Sequence, residues 1–266
     1  MFAVAELTLR KMREGTLLLL ILIGAVFCIL ADSTTPPVEQ VGVGTLLSYA
    51  LGSQSRAVPP ISTGTACAML FSVLLGVFWG ASEIPGDIST GLAMVVLSKP
   101  VGRVRYALGK YLGMLLASLG VFAVFELALV AGHFVFGSGV TSYGPTAIAR
   151  QLMPPLMLCP LVAIAMTASL VAGGMGGMVV TILYMLFSVA MSFIPVTLSL
   201  FPEGTLPGLN TLAAATRFFF PNLVYFFQEN IAGVLMVSVL LLYTVCLTTI
   251  FLVLLVWRIC CMDISH

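Results

Sequence analysis

The sequence predicts an all-α integral membrane protein with six transmembrane helices and both ends of the chain in the cytoplasm. Three observations predict it. Of 266 residues, 60% are hydrophobic and only 8% charged, with a mean hydropathy of +1.16; an ordinary soluble domain carries roughly 25% charged residues. The apolar residues gather into six runs of about bilayer length, and the basic residues fall unevenly on the two sides of those runs. A net charge of +1 gives no sign of an acidic or nucleic-acid partner, so position matters here more than sum.

A bilayer core about 30 Å thick needs roughly 20 predominantly apolar residues per helix. On that criterion the spans are 16–31, 61–81, 108–136, 152–172, 176–198 and 231–256, the last anchored at the interface by Trp257 and Arg258. Before the first span, Phe2, Ala5, Leu9 and Met12 share one helical face, while Glu6, Arg10 and Glu14 form i,i+4 pairs on another. Residues 1–15 therefore read as an amphipathic helix on the cytoplasmic surface. No small-x-small cleavage site ends the first apolar run, which separates it from a signal peptide. Pro154, Pro155 and Pro160 predict a kink near the start of the fourth span. The connection Gly173 to Gly177 is a tight, uncharged hairpin. Outer loop 199–230 carries Phe218, Phe219, Phe220, Tyr225, Phe226 and Phe227 around Pro221, suited to short interfacial helices or to an aromatic belt.

Orientation follows from lysine and arginine, which are retained on the cytoplasmic side. With the N-terminus inside, Arg10, Lys11, Arg13, Lys99, Arg103, Arg105, Lys110 and Arg258 are cytoplasmic and Arg56, Arg150 and Arg217 are outside, an eight to three split. Cys28, Cys67, Cys159 and Cys246 lie within apolar runs, with Cys260 and Cys261 on the basic side of the last, so a disulfide framework is not expected.

The informative segment is the cytoplasmic connection 82–107 between the second and third spans, which with the first turn of the next span reads SEIPGDISTGLAMVVLSKPVGRVRYALGK. Pro85 and Gly86 are expected to break the second span, leaving Asp87 to cap a new short helix at its positive end. Ile88, Leu92, Val95 and Val96 follow at helical spacing and make one apolar face. Lys99 and Pro100 end that helix, because the residue before proline avoids the α region. Arg103, Arg105 and Lys110 are then placed to anchor the third span at anionic headgroups. An apolar face on such a helix suits either membrane lipid or a groove on a soluble partner.

This segment resembles the signature region of ATP-binding-cassette (ABC) transporter permeases of the type-2 exporter class. The resemblance rests on Glu83 and Asp87, then Leu97, Ser98, Lys99, Pro100, Val101 and Arg103, then Leu108, Gly109 and Lys110. Leu92 follows Gly91 where that family often has threonine. The resemblance implies that Asp87 to Ser98 forms a coupling helix docking into a cytoplasmic ATPase. Its coupling residues would be Glu83, Asp87, Ile88, Gly91, Leu92, Val95, Lys99, Pro100 and Arg103. It also implies a bacterial cytoplasmic (inner) membrane location, two ATPase subunits that supply ATP and Mg, and a second permease copy or a related permease. The substrate class is left open, with an amphiphile favoured by the scarcity of charged pore candidates.

The chain is not expected to be an enzyme or to bind a cofactor or metal itself. A phosphate-cradling loop needs G-x-x-x-x-G-K-[ST], and the near match at Gly109 and Lys110 has Val104 and Tyr111 at the two other defining positions. There is no H-E-x-x-H or G-x-S-x-G. Glu126, seven residues before His133 on the third span, is a candidate for the translocation path, or a structural carboxylate satisfied by a neighbouring helix. Two other readings compete: a proton-coupled secondary transporter using Glu126 and His133, and a non-transporting assembly factor driven by the same kind of ATPase.

Overall fold

The computed structural model describes residues 15–34, 63–93, 102–136, 154–199 and 234–261. Five helices make up almost all of it: α1 (Gly15–Thr34), α2 (Thr63–Ser89), α3 (Arg103–Phe136), α4 (Leu158–Ser199) and α5 (Val234–Cys261), with a 3-10 turn at Pro154–Met157 ahead of α4. Among the described residues there is no strand. Among the described residues four helices, α2 to α5, are long and apolar enough to cross a membrane, which makes this a multi-pass membrane protein. The predicted surface helix, apart from Gly15, and the predicted outer-loop helices lie outside the described residues.

The helices alternate in direction, and close approaches show how. Gly24 of α1 meets the Phe125 ring and Gly132 of α3 meets Ile29, so α1 and α3 run parallel. Between α2 and α3, residue 76 packs on 118, 83 on 110 and 87 on 106, an antiparallel pair holding one register over its length. Gly174 abuts the backbone of Ala81 and Ser82, and the Arg103 guanidinium donates to the Cys260 carbonyl at 2.9 Å. One end of the bundle therefore gathers the end of α2, the start of α3, the middle of α4 and the end of α5.

The middle of α4 reaches that end because the element is two helices joined at Gly173, whose φ of 75° and ψ of 172° leave the helical region. Gly177 then lies so close to Ser169 that a Cβ would stand 2.4 Å from the Ser169 Cα. In a straight helix residues eight apart are about 12 Å apart, so the chain has reversed, as expected for a tight hairpin at 173–177. Backbone of this type is essentially confined to glycine and costs other residues about 1–3 kcal/mol. Gly173→Ala is expected to lower the stability of the purified protein by that amount, read as a lower Tm in a detergent thermal melt.

Two apolar clusters fill the bundle. One, distant from the hairpin tip, joins Cys28, Met69, Val73, Phe125, Leu129 and Leu158, with Phe71 set edge-on between Phe27 and Phe125. The other, near the tip, joins Ile84, Ala107, Met114, Met166, Leu255 and Ile259. Lipid tails are as apolar as these side chains, so close packing and small residues must hold the helices together. Gly76 and Gly80 supply that closeness. A Cβ on Gly76 would stand 2.7 Å from the Ser118 Oγ, and one on Gly80 would stand 3.3 Å from the Ala165 Cβ.

Several element ends differ from the sequence expectation. Pro85 and Gly86 do not break α2, which runs through both to Ser89. The proline leaves the Ala81 carbonyl without its helical donor, and that carbonyl lies against Gly174. What carries the helix onward is the ionic cluster described below. Past Ser89 the chain turns at Gly91, whose φ of 72° is the left-handed conformation common just past a helix end. α3 starts at Arg103 rather than 108, its first turn closed by the Tyr106 amide donating to the Gly102 carbonyl at 3.1 Å. Pro154 and Pro155 open the 3-10 turn that leads into α4, and Pro160 lies in the first turn of that helix, where proline is tolerated.

Candidate functional site

The functional residues predicted for the connection fall into a buried group and an exposed group. Glu83 and Asp87 are one turn apart on α2, and Tyr106 and Lys110 one turn apart on α3. In the antiparallel register these four face one another. The Lys110 ammonium donates to the Glu83 Oε1 at 2.5 Å and lies 2.7 Å from the Asp87 Oδ2. The Tyr106 hydroxyl donates to the same Asp87 oxygen at 2.8 Å. All four are buried, Asp87 and Lys110 to 1% exposure.

This corrects three expectations. Asp87 does not cap a new helix; it is the last inward-facing residue of α2. Lys110 does not reach for headgroups, because two carboxylates hold it inside the bundle. Glu83 and Asp87 do not face a partner from an exposed surface. The physical reason is common to all three: a charge in an apolar helix is expensive unless paired, and extending α2 by two turns brings a second carboxylate to Lys110. The i,i+4 spacing of both pairs was a legible signal, but placing 82–107 in a solvated loop concealed it.

The cluster is a clamp. Two carboxylates share one ammonium, and the Tyr106 hydroxyl donates to one of them, that of Asp87. Low local dielectric strengthens these bonds and equally penalises the loss of any member. Consequently α2 and α3 are joined as a unit at the root of the chain that connects them.

Beyond the clamp the chain is exposed and mixed in character, with Ser89 and Thr90 between two apolar side chains. Ile88 and Leu92 are 40% and 37% exposed, on either side of the Gly91 turn, with helix resuming at Leu92. Val95, Lys99 and Pro100 lie outside the described residues. Arg103 is exposed but engaged, its guanidinium capping the carbonyl end of α5. A cation at the last turn of a helix both fills an orphan acceptor and meets the negative end of the dipole. That tie between residues 157 apart had no local sequence signal.

Glu126 is not part of this assembly. It lies 16 residues beyond Lys110 on α3, about 24 Å along the helix. Its side chain is half-buried, with Oε1 turned inside. His133 is on the same helix, and its side chain lies outside the described residues. No protein-family model and no curated protein sequence matches this chain.

Proposed function

We propose that this chain is the membrane-spanning permease subunit of an ABC transporter of the type-2 exporter class, driven by separate cytoplasmic ATPase subunits. The observation that carries the proposal is the clamp. The resembled motif, Leu97 to Arg103 with Leu108 to Lys110, brackets a connection whose two roots are joined through Glu83, Asp87, Tyr106 and Lys110. A push on that connection moves α2 and α3 together, which is the mechanical property a coupling element needs. Ile88 and Leu92 offer the apolar surface on which a soluble subunit would push.

In this proposal the ionic end is cytoplasmic, as the eight to three basic split requires, and six segments cross the membrane. Support for six comes from the hairpin. The first arm, 158–172, with its leading 3-10 turn is about 30 Å long, and the second, 174–199, is about 39 Å; each matches a bilayer core. The membrane is the cytoplasmic membrane of a bacterium, ATP and Mg bind in the partner ATPase, and a second permease copy or a related permease completes the complex. The substrate is amphiphilic, moved outward.

Site-specific photocrosslinking tests the docking surface. A photoreactive side chain at Leu92 is expected to capture a cytoplasmic polypeptide carrying a G-x-x-x-x-G-K-[ST] loop, whereas the same probe at Leu127, 68% exposed on the apolar flank of α3, captures none. Capture of no ATPase from Leu92, in membranes where the chain is inserted, would count against the assignment.

A further inference from the structure

At the ionic end a groove of about 310 Å³ opens between the α4 hairpin and α5. Its walls are Ala168 and Val171 on the first arm, Val180 and Tyr184 on the second, and Phe251 and Leu254 on α5. The Tyr184 and Phe251 rings meet edge-on with centroids 6.4 Å apart and mark its inner end. Trp257 and Arg258 stand at its outer end. From Phe251 to Arg258 the α5 axis advances about 10 Å, so the groove runs from the membrane interface into the apolar layer.

The composition of this groove is amphipathic in a defined sense. Its walls are mainly hydrocarbon and aromatic ring, with Thr167 and the Tyr184 hydroxyl as the polar exceptions, and the charge at its outer end is one exposed guanidinium. Among the described residues no carboxylate forms an ion pair with Arg258, whereas Lys110 at the same end is held by two. Trp257 is 61% exposed, a tryptophan beside arginine at the depth where headgroups begin. Arginine is suited to phosphate because its planar fork presents parallel donors.

We propose that this groove binds an anionic phospholipid of the adjoining leaflet, with one acyl chain against Val171, Val180 and Leu254 and the phosphate on Arg258. The site requires only the membrane location of the chain and does not depend on ATPase coupling. The lipid would pack α5 against the hairpin at the end where Arg103 also holds α5.

Fluorescence of the full chain tests it, because the protein has two tryptophans, Trp79 and Trp257. The Trp79→Phe protein leaves Trp257 as sole reporter. It is reconstituted into vesicles of phosphatidylcholine with increasing fractions of brominated phosphatidylglycerol or brominated phosphatidylcholine. Half-maximal quenching is expected at about a fivefold lower fraction of the anionic lipid, the scale of one basic contact at the membrane surface. In that background Arg258→Gln removes the preference. Arg105→Gln, which deletes the same charge from the same end of the bundle, retains it. Ala168→Leu, which narrows the groove, weakens quenching by both lipids while the protein stays folded by circular dichroism. Equal quenching by the two lipids, an equal loss in Arg105→Gln, or equal competition by soluble glycerophosphate would each overturn the proposal.

Discussion

Lys110→Met is expected to destabilise the protein by about 3–5 kcal/mol, the usual cost of leaving a buried charge without its partner. The substitution is close in volume, so packing changes little. What remains is two carboxylates, Glu83 and Asp87, one turn apart in an apolar interior and without the ammonium that bridges them. A thermal melt of the purified protein in detergent reads the effect. The companion variant replaces the set together, with Glu83→Leu, Asp87→Leu, Lys110→Met and Tyr106→Phe. Apolar replacement of whole buried ionic groups is often neutral or stabilising, so this variant is expected to recover most of the lost Tm. Recovery would show that the single substitution acts through an uncompensated charge. If Lys110→Met melts with the wild type, the clamp has no energetic role and the coupling argument loses its support.

Gly177→Ala is expected to cost about 3 kcal/mol, the upper part of the range for overpacking. The added methyl would stand 2.4 Å from the Ser169 Cα and 2.5 Å from its nitrogen. These are backbone atoms of the opposing arm, so no rotamer change relieves the contact. The two arms must part, and the buried Thr181, whose hydroxyl donates to the Gly177 carbonyl at 2.8 Å, moves with them. Gly120→Ala is the matched control, since nothing lies within 4 Å of its added methyl. Alanine there is expected to be neutral or to stabilise the helix by up to about 1 kcal/mol. Equal melting of the two variants would mean that the hairpin arms do not meet at Gly177.

Much of this fold is legible in the sequence, because apolar runs of bilayer length report helices directly. The turn at Gly173 is legible too, from clustered glycines between two such runs. The ends are less so. Pro85 and Gly86 are local signals for a break, and locally they are correct; the pairing of Asp87 with Lys110, made only in the folded bundle, outweighs them. The same fact explains why Glu83 and Asp87 are buried inside the bundle. A coupling motif read from one strand of chain places its carboxylates toward a partner, whereas their partner is Lys110 of the same motif. The spacing Gly76-x-x-x-Gly80 was also readable as a close-packing signature, but inside an unbroken apolar run it added nothing to the count of spans. Arg103 on Cys260 lay beyond any local pattern.

The clamp also narrows what the proposed coupling can be. Under that proposal Glu83 and Asp87 act as positioning residues inside the bundle. The contact it assigns to an ATPase then falls to Ile88, Leu92 and the residues that follow. Substitution of the first pair is therefore expected to act through stability, and substitution of the second through association.

The most direct measurement is purification of the full chain from its native membranes in mild detergent, followed by protein identification, stoichiometry and ATP hydrolysis. The predicted result is a complex in which an ABC ATPase accompanies the permease one to one, with hydrolysis. Leu92→Asp would insert normally but lose the ATPase. The contradicting result is a chain that purifies without any ATP-binding polypeptide and, in vesicles, runs on a pH gradient abolished by Glu126→Gln.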